Sequence, residues 1–416
     1  MRSFVLLILL SQLSFSSKAS VRFVRAMFNY NASTGITIAW DQVEGENPIL
    51  YYGTTLPEDF NFTDSAKISR TEHAKSMHNH FVRLRNLTPN QRYYFCIKDS
   101  QGYSRVYYVS TVSDQPTARI SFIAGGDSRD QSEVRRKANE LVAKLKPHAV
   151  LFNGDFTGYD IPKQWVEWFT DWESSIAEDG RISPLVVTRG NHELSNRSIE
   201  KLFDVPSRRI YYNVEFGGTL INLISLNSEI LKYGRQKVFL RSTLRRHEHF
   251  DWQLPQYHRP IRPHVSHKKE MQTQYRNFVP LFEKYANVRL CLENDSHTCK
   301  ITWPIVSSEE MGAEEGFIRN DSIGIVYAGE GCWGAPLRAA DDNKCWTRNS
   351  EAVNQFNWIF IDQQKIELRT VLYENAADVA ELTEETRFEQ PEGIALWTPS
   401  NGSLVEIYKR AVPAKK

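Results

Sequence analysis

Three short polar segments in the middle of the sequence combine residue types that bind cations. They read GGDSR at 125–129, NGD at 153–155 and RGNHE at 189–193, and each follows an apolar run typical of a buried strand. In open α/β sheets, ligand sites form beyond the carboxyl ends of the strands. We therefore expect the three segments to meet in one crevice. The side chains that they bring there are those of Asp127, Asp155, Asn191 and His192.

Two later segments add further ligands. His258 follows an apolar stretch that predicts another buried strand. The strand predicted at 288–292 is followed by Asp295 and His297, which are two residues apart and so lie on the same side of an extended segment. Carboxylate, amide and imidazole groups together suit two cations that share a bridging carboxylate. Asp155, in the central set, is the natural bridge.

Each of these residues also has an ordinary structural interpretation. Asp127 or Asp155 taken alone is more typical of a turn or a helix N-cap, and Asp295 suits an Asx turn. His258 suits a packed loop, and Glu193 is expected to support its loop rather than to act as an acid. The ordered series, with its members at the ends of strands, favours a metal site over these separate roles.

The elements that must position these residues alternate between strand and helix. Strands are predicted at 120–124, 149–152 and 184–188, and the spacing of apolar residues predicts helices over 131–146 and 162–177. A β-α-β-α-β order is typical of a layered α/β domain. Further strands are predicted at 220–226, 288–292, 323–327, 358–361 and 366–371.

A different pattern precedes this region. Residues 20–113 carry short alternating segments separated by Gly, Pro and Asn, which predicts a small all-β sandwich. The stretch LTPNQRYY at 87–94 resembles the Leu-x-Pro-x-x-x-Tyr stretch of fibronectin type III-like domains. Residues 114–117 are expected to link this domain to a catalytic domain over 118–410. The pattern therefore predicts an α/β fold class, a layered domain flanked by helices and preceded by a small all-β sandwich domain.

The ordered series of GGD, NGD, GNHE, a His after a strand and a final DSH resembles the motif series of metallophosphoesterases. The N-terminal β region and the stretch IVYAGEG at 325–331 make the chain similar to purple acid phosphatases over nearly its whole mature length. GNHE alone would be only suggestive, whereas the full series is specific. The resemblance implies a metallophosphoesterase β-sandwich and a centre of two metal ions, iron paired with iron, zinc or manganese.

The resemblance also implies a role for each matching residue. Asp127 and His297 would bind the first metal, and Asp155 would bridge both metals. Asn191 and His258 would bind the second metal.

Three positions depart from the family pattern. The family's Asp-x-Gly ends here in Arg129, whose guanidinium either binds phosphate in a bidentate manner or lies at the surface. The family's tyrosine ligand falls on Gly158, and we expect Tyr159, one residue later, not to replace it. The family's Gly-His-x-His has Asp295 in place of its first His. As a harder ligand of the second metal, this carboxylate would favour Mn, Mg or Fe over Zn.

The basic, His-rich stretch 241–269 is interpreted as long active-site loops. His264, within it, either contacts the substrate phosphate or is a solvated loop residue.

The N-terminus has the features of a signal peptide. Arg2 precedes an apolar run at 4–10, and small residues at 17 and 19 suit cleavage after residue 19. The run is too short to span a bilayer, and no later segment is apolar enough to do so. We therefore predict a chain that is secreted to an extracellular or periplasmic location, without a membrane span.

The charge of the mature chain is close to zero. Without residues 1–19, which contain two basic residues and no acid, the formal charge falls from +1 to −1. This balance gives no indication of nucleic-acid binding. The oligomeric state cannot be read from the sequence.

Five cysteines remain in the predicted mature chain, and an export signal permits disulfides. The local pairings we expect are Cys291 with Cys299 and Cys332 with Cys345, which leaves Cys96 free and buried. The sequence alone does not determine connectivity.

The predicted function is hydrolysis of small-molecule phosphomonoesters, in which a metal-activated hydroxide attacks phosphorus. The resemblance implies that His192 contacts the phosphate or the leaving group. A phosphodiesterase would use the same metals in a more open cleft. A non-catalytic phosphate-binding or adhesion protein would depend on the N-terminal domain, and the intact Asn191-His192 pair argues against it.

Overall fold

The computed structural model describes residues 19–410. The predicted signal peptide, residues 1–19, therefore lies outside the described residues except for Ala19. Among the described helices, none is both long and apolar enough to cross a bilayer.

The N-terminal part of the chain is entirely β. Its strands are β1 Val21–Met27, β2 Gly35–Gln42, β3 Ile49–Gly53, β4 Asp64–Ala66, β5 Arg70–Ala74, β6 Met77–Arg85, β7 Arg92–Asp99, β8 Gly102–Tyr103 and β9 Tyr107–Ser110. Strands β1, β2, β6 and β5 lie side by side, and β4, β3, β7 and β8 form a second sheet, with β9 paired to β7. Trp40 and Phe95 are fully buried in the shared core. The prediction of an all-β N-terminal domain is confirmed.

The remaining strands and helices follow along the rest of the chain. The strands are β10 Ile120–Gly125, β11 Ala149–Phe152, β12 Leu185–Val187, β13 Tyr212–Phe216, β14 Ile221–Ser225, β15 Trp252–Gln256, β16 Leu290–Glu293, β17 Cys299–Thr302, β18 Ile305–Ser307, β19 Phe317–Arg319, β20 Val326–Gly329, β21 Thr347–Glu351, β22 Gln355–Ile361, β23 Lys365–Leu372 and β24 Leu404–Tyr408. The helices are α1 Ser132–Leu145, α2 Pro162–Trp172, α3 Asn196–Leu202, α4 Arg235–Arg246 and α5 Gln272–Lys284, with 3₁₀ turns at Glu173–Ser175 and Ala376–Asp378.

Two sheets packed face to face form the centre of this region. The first has the order β24-β23-β22-β10-β11-β12, and the second has the order β13-β14-β15-β16-β20-β17-β21. Phe122 of β10 and Trp252 of β15 share one buried core between them. Helices α1, α2 and α3 bury apolar residues against the outer face of the first sheet, and α4 and α5 do so on the second. This layered, helix-flanked β-sandwich confirms the predicted fold class.

The first sheet continues into the N-terminal part. Strand β12 pairs in parallel with β1 at Met27 and Leu185, so ten strands run from β24 to β5. Phe28 packs edge-on against Phe216 of the second sheet, at 5.6 Å between ring centroids. The division at residues 114–117 stays a prediction, because hydrogen bonds and apolar packing extend across it.

The interpretation of 241–269 as loops is wrong at its start. Helix α4 extends to Arg246, and β15 begins at Trp252. Leu240 and Leu244 are four residues apart and fully buried, so they form an apolar stripe that anchors the helix. The many arginines around this stripe concealed it in the sequence.

Both predicted disulfides are absent from the structure, which shows all five cysteines free. Cys291 lies in β16 and Cys299 in β17, with β20 between these strands. Two strand spacings put them about 10 Å apart, beyond the roughly 7 Å that a disulfide can bridge between Cα atoms. Cys332 is buried whereas Cys345 is exposed. Cys96 is free and buried, as predicted.

A histidine cluster on β5 and β6 makes stability depend on pH. The rings of His73 and His78 stack at 4.0 Å, and that of His80 lies 4.6 Å from His78. Burial, then the neighbouring His78 and His73, lower the pKa of His80 to about 4. A folded-state pKa below the ordinary 6.5 gives stability that is present above pH 6.5 and lost as the pH falls towards 4.

We therefore expect the melting temperature of the protein, after its metals are removed by chelation, to fall between pH 6.5 and pH 4.5. It should fall less in the variant His80→Gln. The control is His249→Gln, because His249 is exposed. Equal pH slopes in all three proteins, measured by thermal unfolding, would contradict the assignment.

Candidate metal centre

Three of the predicted ligands follow adjacent parallel strands. Asp127, Asp155 and Asn191 lie beyond β10, β11 and β12, whose carboxyl ends share one edge of the sheet. The φ angles of Asp127 and Asp155 are 54° and 53°, in a left-handed region that is uncommon for residues other than glycine and is concentrated at functional sites. A Cβ at Gly154 would lie 2.4 Å from the backbone nitrogen of Gly190. Glycine at position 154 therefore lets the two loops approach each other.

The second sheet supplies the other ligands from the same side. His258 follows β15. Asp295 and His297 follow β16, which is the parallel neighbour of β15. The backbone N–H of Asn294 donates to the carbonyl of His258 at 2.7 Å and ties the two loops together. The structure thus brings together six residues that the sequence predicted: Asp127, Asp155, Asn191, His258, Asp295 and His297.

His258 lies at the centre of this cluster and is fully buried. Its Nδ1 is 2.8 Å from the carbonyl oxygen of Asn153, to which it donates. Its Nε2 faces three oxygen atoms: Oδ1 of Asn191 at 3.2 Å, of Asp155 at 3.3 Å and of Asp295 at 3.5 Å. An imidazole nitrogen that faces three oxygen atoms is the arrangement that a bound cation satisfies.

His297 and Asp127 form a second half of the cluster. The Nδ1 of His297 donates to the carbonyl of Pro336 at 2.9 Å, which directs Nε2 to within 3.4 Å of Asp127 Oδ1. That carboxylate oxygen is buried and has no hydrogen-bond partner. The other oxygen of Asp127 accepts from the Asn294 side chain and from the Asp295 backbone, both at 2.9 Å.

These side chains fit a metal centre as ligands. Ligand atoms of Asp127, Asp155 and His258 lie within 4.8 Å of one another, and the orphaned oxygen of Asp127 is a buried charge that needs a partner. Each histidine has its other nitrogen held by a backbone carbonyl, which is the usual support of a metal-binding imidazole.

The electrostatics of the cluster are those of tightly packed opposite charges. Burial opposes the charge on His258, but Asp155 and then Asp127 raise its pKa well above the ordinary value. Burial likewise opposes ionisation of Asp295, yet His258 and Lys268 hold its pKa far below the usual range. The carboxylate of Asp295 is therefore available as a charged ligand.

His192 lies next to the cluster and is partly open to solvent. Its backbone N–H donates to Asp155 Oδ1 at 2.8 Å, and its Nδ1 donates to the carbonyl of Gly158 at 2.5 Å. Its Nε2 is 3.8 Å from Asp155 Oδ2, and 26% of its side chain is exposed. The ring thus presents Nε2 at the edge of the metal cluster.

Glu193 supports these loops, as the sequence suggested. It is fully buried and accepts backbone N–H groups from Asp155 at 3.1 Å, Phe156 at 2.9 Å and Gly190 at 2.7 Å. Burial, and then the charge of Asp155, raise its pKa to about 8. One carboxyl group therefore joins the Asp155 loop to the loop that carries Asn191.

The two predicted phosphate-binding residues lie in different parts of the structure. Arg129 lies beside the cluster, with Nη1 3.5 Å from His297 Nε2. His264 is fully buried elsewhere: its Nε2 bonds to the Thr347 hydroxyl at 2.7 Å, and its ring packs edge-on against Trp346. The structure does not bring His264 to the other residues, so we leave it out of the proposed site.

Lys268 is a site residue that the sequence interpretation did not include. Its Nζ is 2.7 Å from Asp295 Oδ2. In the sequence, Lys268 is a basic residue ten positions after His258, but it lies within a run of basic residues that gave no reason to select it as a site residue.

Gly158 occupies the position of the family's tyrosine ligand. A Cβ there would meet Asp130 Oδ1, so a larger side chain would require the exposed Asp130 side chain to move. The side chain of Tyr159 is 70% exposed. These placements support the expectation that no tyrosinate binds the metals.

We therefore expect the iron-loaded protein to lack a tyrosinate-to-iron absorption band in the visible region. Tyr159→Phe should leave the metal content and the visible spectrum unchanged. A visible band that disappears in this variant, recorded at equal iron content, would contradict the expectation.

Comparisons with known proteins agree with this geometry. Residues 22–111 match the family model described as purple acid phosphatase, N-terminal domain, and residues 115–298 match that of the calcineurin-like phosphoesterases. A purple acid phosphatase, PPD1 from yellow lupin (Lupinus luteus) seeds, superposes with a TM-score of 0.71 at 15% identity, over 86% of this chain and 73% of that one. PhoD superposes with a TM-score of 0.67 at 12% identity, over 96% and 94%. No curated protein sequence matches the chain.

The fold and the two family matches define a metallophosphoesterase, a class of metal-dependent phosphoric ester hydrolases. Within that class the chain resembles the purple acid phosphatases, because a region that matches their N-terminal domain precedes the region that matches the calcineurin-like phosphoesterases.

Proposed function

We propose that this protein hydrolyses small-molecule phosphomonoesters at a centre of two metal ions. The observation that carries the proposal is the convergence of the Asn191, Asp155 and Asp295 oxygens on His258 Nε2. The partly exposed imidazole of His192 stands at the edge of this cluster. A buried set of metal ligands beside an accessible proton donor is suited to the hydrolysis of an ester that reaches the cluster from solvent.

The cluster divides into two sets of ligands that share Asp155. Asp127 and His297 would hold one cation, and Asn191, His258 and Asp295 would hold the other. Two bound cations would neutralise charge on the phosphoryl oxygens and supply an activated water. Iron with iron, zinc or manganese is the proposed pair, and the carboxylate of Asp295 favours the harder ions at the second position.

The chain's own groups orient the ester and move a proton. Arg129, whose Nη1 is 3.5 Å from His297 Nε2, would bind a phosphoryl oxygen. His192 donates through Nδ1 to Gly158, so only its Nε2 is free to carry a proton to the leaving oxygen. A monoester carries more negative charge than a diester, which suits the cationic Arg129 and Lys268 beside the cluster.

We expect His192→Ala to lower kcat/KM by about a hundredfold, as is usual for loss of a proton donor, with little change in metal content. His192 is not among the groups that surround His258 Nε2, so its loss leaves the ligands in place. The matched control is His249→Ala, at an exposed position. Elemental analysis that shows metal loss in proportion to activity would contradict this role.

The proposed function is tested with paired substrates on the metal-loaded protein. We expect turnover of 4-nitrophenyl phosphate to exceed that of bis(4-nitrophenyl) phosphate and to cease after exhaustive chelation. A preference for the diester would make the protein a phosphodiesterase of the same fold. Full activity without metal would refute the proposal, and no turnover with metals loaded would indicate a phosphate-binding protein.

Export is part of the same proposal. It is supported by Arg2 and the apolar run at 4–10, and N-terminal sequencing of the protein from its native source tests it. A mature chain that begins near residue 20 is expected, whereas an intact N-terminus inside the cell would contradict it.

A further inference from the structure

A small pocket opens beside Asp295 and is lined mainly by basic side chains. Its volume is about 220 Å³. Its lining residues are Arg259, Pro260, Pro263, His267, Lys268, Lys269, Met271 and Asp295. Because Asp295 Oδ1 is 3.5 Å from His258 Nε2, the pocket borders directly on the metal ligands.

The charges of this pocket do not cancel. Lys268 Nζ is bound to Asp295 Oδ2 at 2.7 Å, and Arg259 is held by both carboxylate oxygens of Glu229 at 2.8 and 3.1 Å. Within residues 19–410, neither Lys269 nor His267 takes part in an ion pair, and both are exposed. Of the three permanent cations that line the cavity, Arg259 and Lys268 are each paired with a carboxylate, and Lys269 carries the uncompensated positive charge.

Lys268 occupies a particular place in this arrangement. Its side chain is 22% exposed while that of Asp295 is 6% exposed, so the ammonium group covers the carboxylate and faces the cavity. An ammonium group has three donors, and Asp295 accounts for one. The remaining two donors are available to another acceptor in the pocket that Lys268 lines.

We infer that this pocket binds a second anionic group of the substrate, and that Lys268 is the residue that selects for it. The preferred substrates would be phosphate esters that carry another phosphate or a carboxylate a few bonds from the reacting group. The inference rests on the proposed function. Excess positive charge at the border of a partly enclosed site attracts anions, and a fixed ammonium group gives the attraction a direction.

Binding of phosphonates to the metal-loaded protein tests the pocket without turnover, because a carbon–phosphorus bond replaces the ester bond. By calorimetry we expect propane-1,3-bisphosphonate to bind at least about tenfold more tightly than propylphosphonate, the effect of one additional charged hydrogen bond. Lys268→Met should reduce this ratio towards one, and Lys269→Ala should reduce it partially. The control is Lys67→Met, an exposed lysine of the N-terminal part.

Turnover by the metal-loaded protein provides the second readout. We expect kcat/KM for propane-1,3-diol bisphosphate to exceed that for propyl phosphate, and the ratio to collapse in Lys268→Met. If Lys268 only neutralises Asp295, both ratios in this variant stay as in the wild type, which would overturn the inference. Equal binding of the two phosphonates by the wild type would also overturn it. If neither ester is hydrolysed, the proposed function fails, and the binding ratios still decide the question of the pocket.

Discussion

Asp155→Asn is expected to remove metal and activity together. We expect kcat/KM to fall at least about a thousandfold, which corresponds to roughly 4 kcal/mol of transition-state stabilisation. In the proposed centre, Asp155 would be shared by both ligand sets. Its Oδ1 lies 3.3 Å from His258 Nε2 and accepts the His192 backbone N–H. Asparagine keeps the shape of the aspartate side chain but lacks its negative charge, and it would turn an NH₂ group towards the proposed cations.

The measurement combines elemental analysis, kinetics and thermal unfolding. A ligand that binds only the folded state stabilises it, by about 2.7 kcal/mol at a hundred times its dissociation constant. Chelation should therefore lower the melting temperature of the wild type and leave that of Asp155→Asn unchanged. The control is Asp321→Asn, because the Asp321 side chain is 61% exposed in an ion pair with Arg319. A variant that retains both metal and turnover would end the assignment of Asp155.

Glu193→Ala is expected to weaken folding and catalysis at once. The substitution leaves three backbone N–H groups buried without an acceptor, which should cost about 3–5 kcal/mol of unfolding free energy. The loops of Asp155 and Asn191 lose their common tie, and a displacement of about 1 Å at a catalytic group lowers rates by roughly a hundredfold. Urea denaturation and kinetics on the same preparation measure the two effects.

Glu193→Gln tests whether the loops need both acceptor oxygens or only a side chain of this volume. It keeps the volume and one acceptor oxygen but sets an NH₂ group against backbone N–H donors, so we expect a smaller loss of stability and a clear loss of kcat/KM. The matched control is Glu389→Ala, at an exposed position. Wild-type stability in Glu193→Ala would show that the three hydrogen bonds do not hold the loops.

The ligand loops were predictable from sequence because their geometry follows from local rules. Apolar runs before Asp127, Asp155 and Asn191 indicate buried strands, and the helical spacing between them indicates parallel order. Parallel neighbours bring their carboxyl ends to one edge. The same reasoning placed His258 and Asp295, since each follows an apolar strand.

Other features depended on contacts between residues distant in sequence. His264 was a reasonable phosphate-binding candidate until the fold placed Thr347 and Trp346 around its ring. The two disulfides looked plausible by spacing, but β20 separates Cys291 from Cys299. In both cases the contacting residues lie in different segments of the chain, and no local sequence pattern indicates how those segments are positioned relative to each other.

By itself, the sequence determined the layered α/β fold, the all-β N-terminal part and the polar loops that carry the ligands, because strand and helix periodicity and strand-end chemistry are local properties of the chain. Only the tertiary structure decided which side chains meet: the convergence on His258 Nε2, the anchoring of two loops by Glu193 and the ion pair of Lys268 with Asp295. These contacts depend on how two sheets pack and how long loops close over their edge. They are set by the burial of the whole core rather than by any single segment.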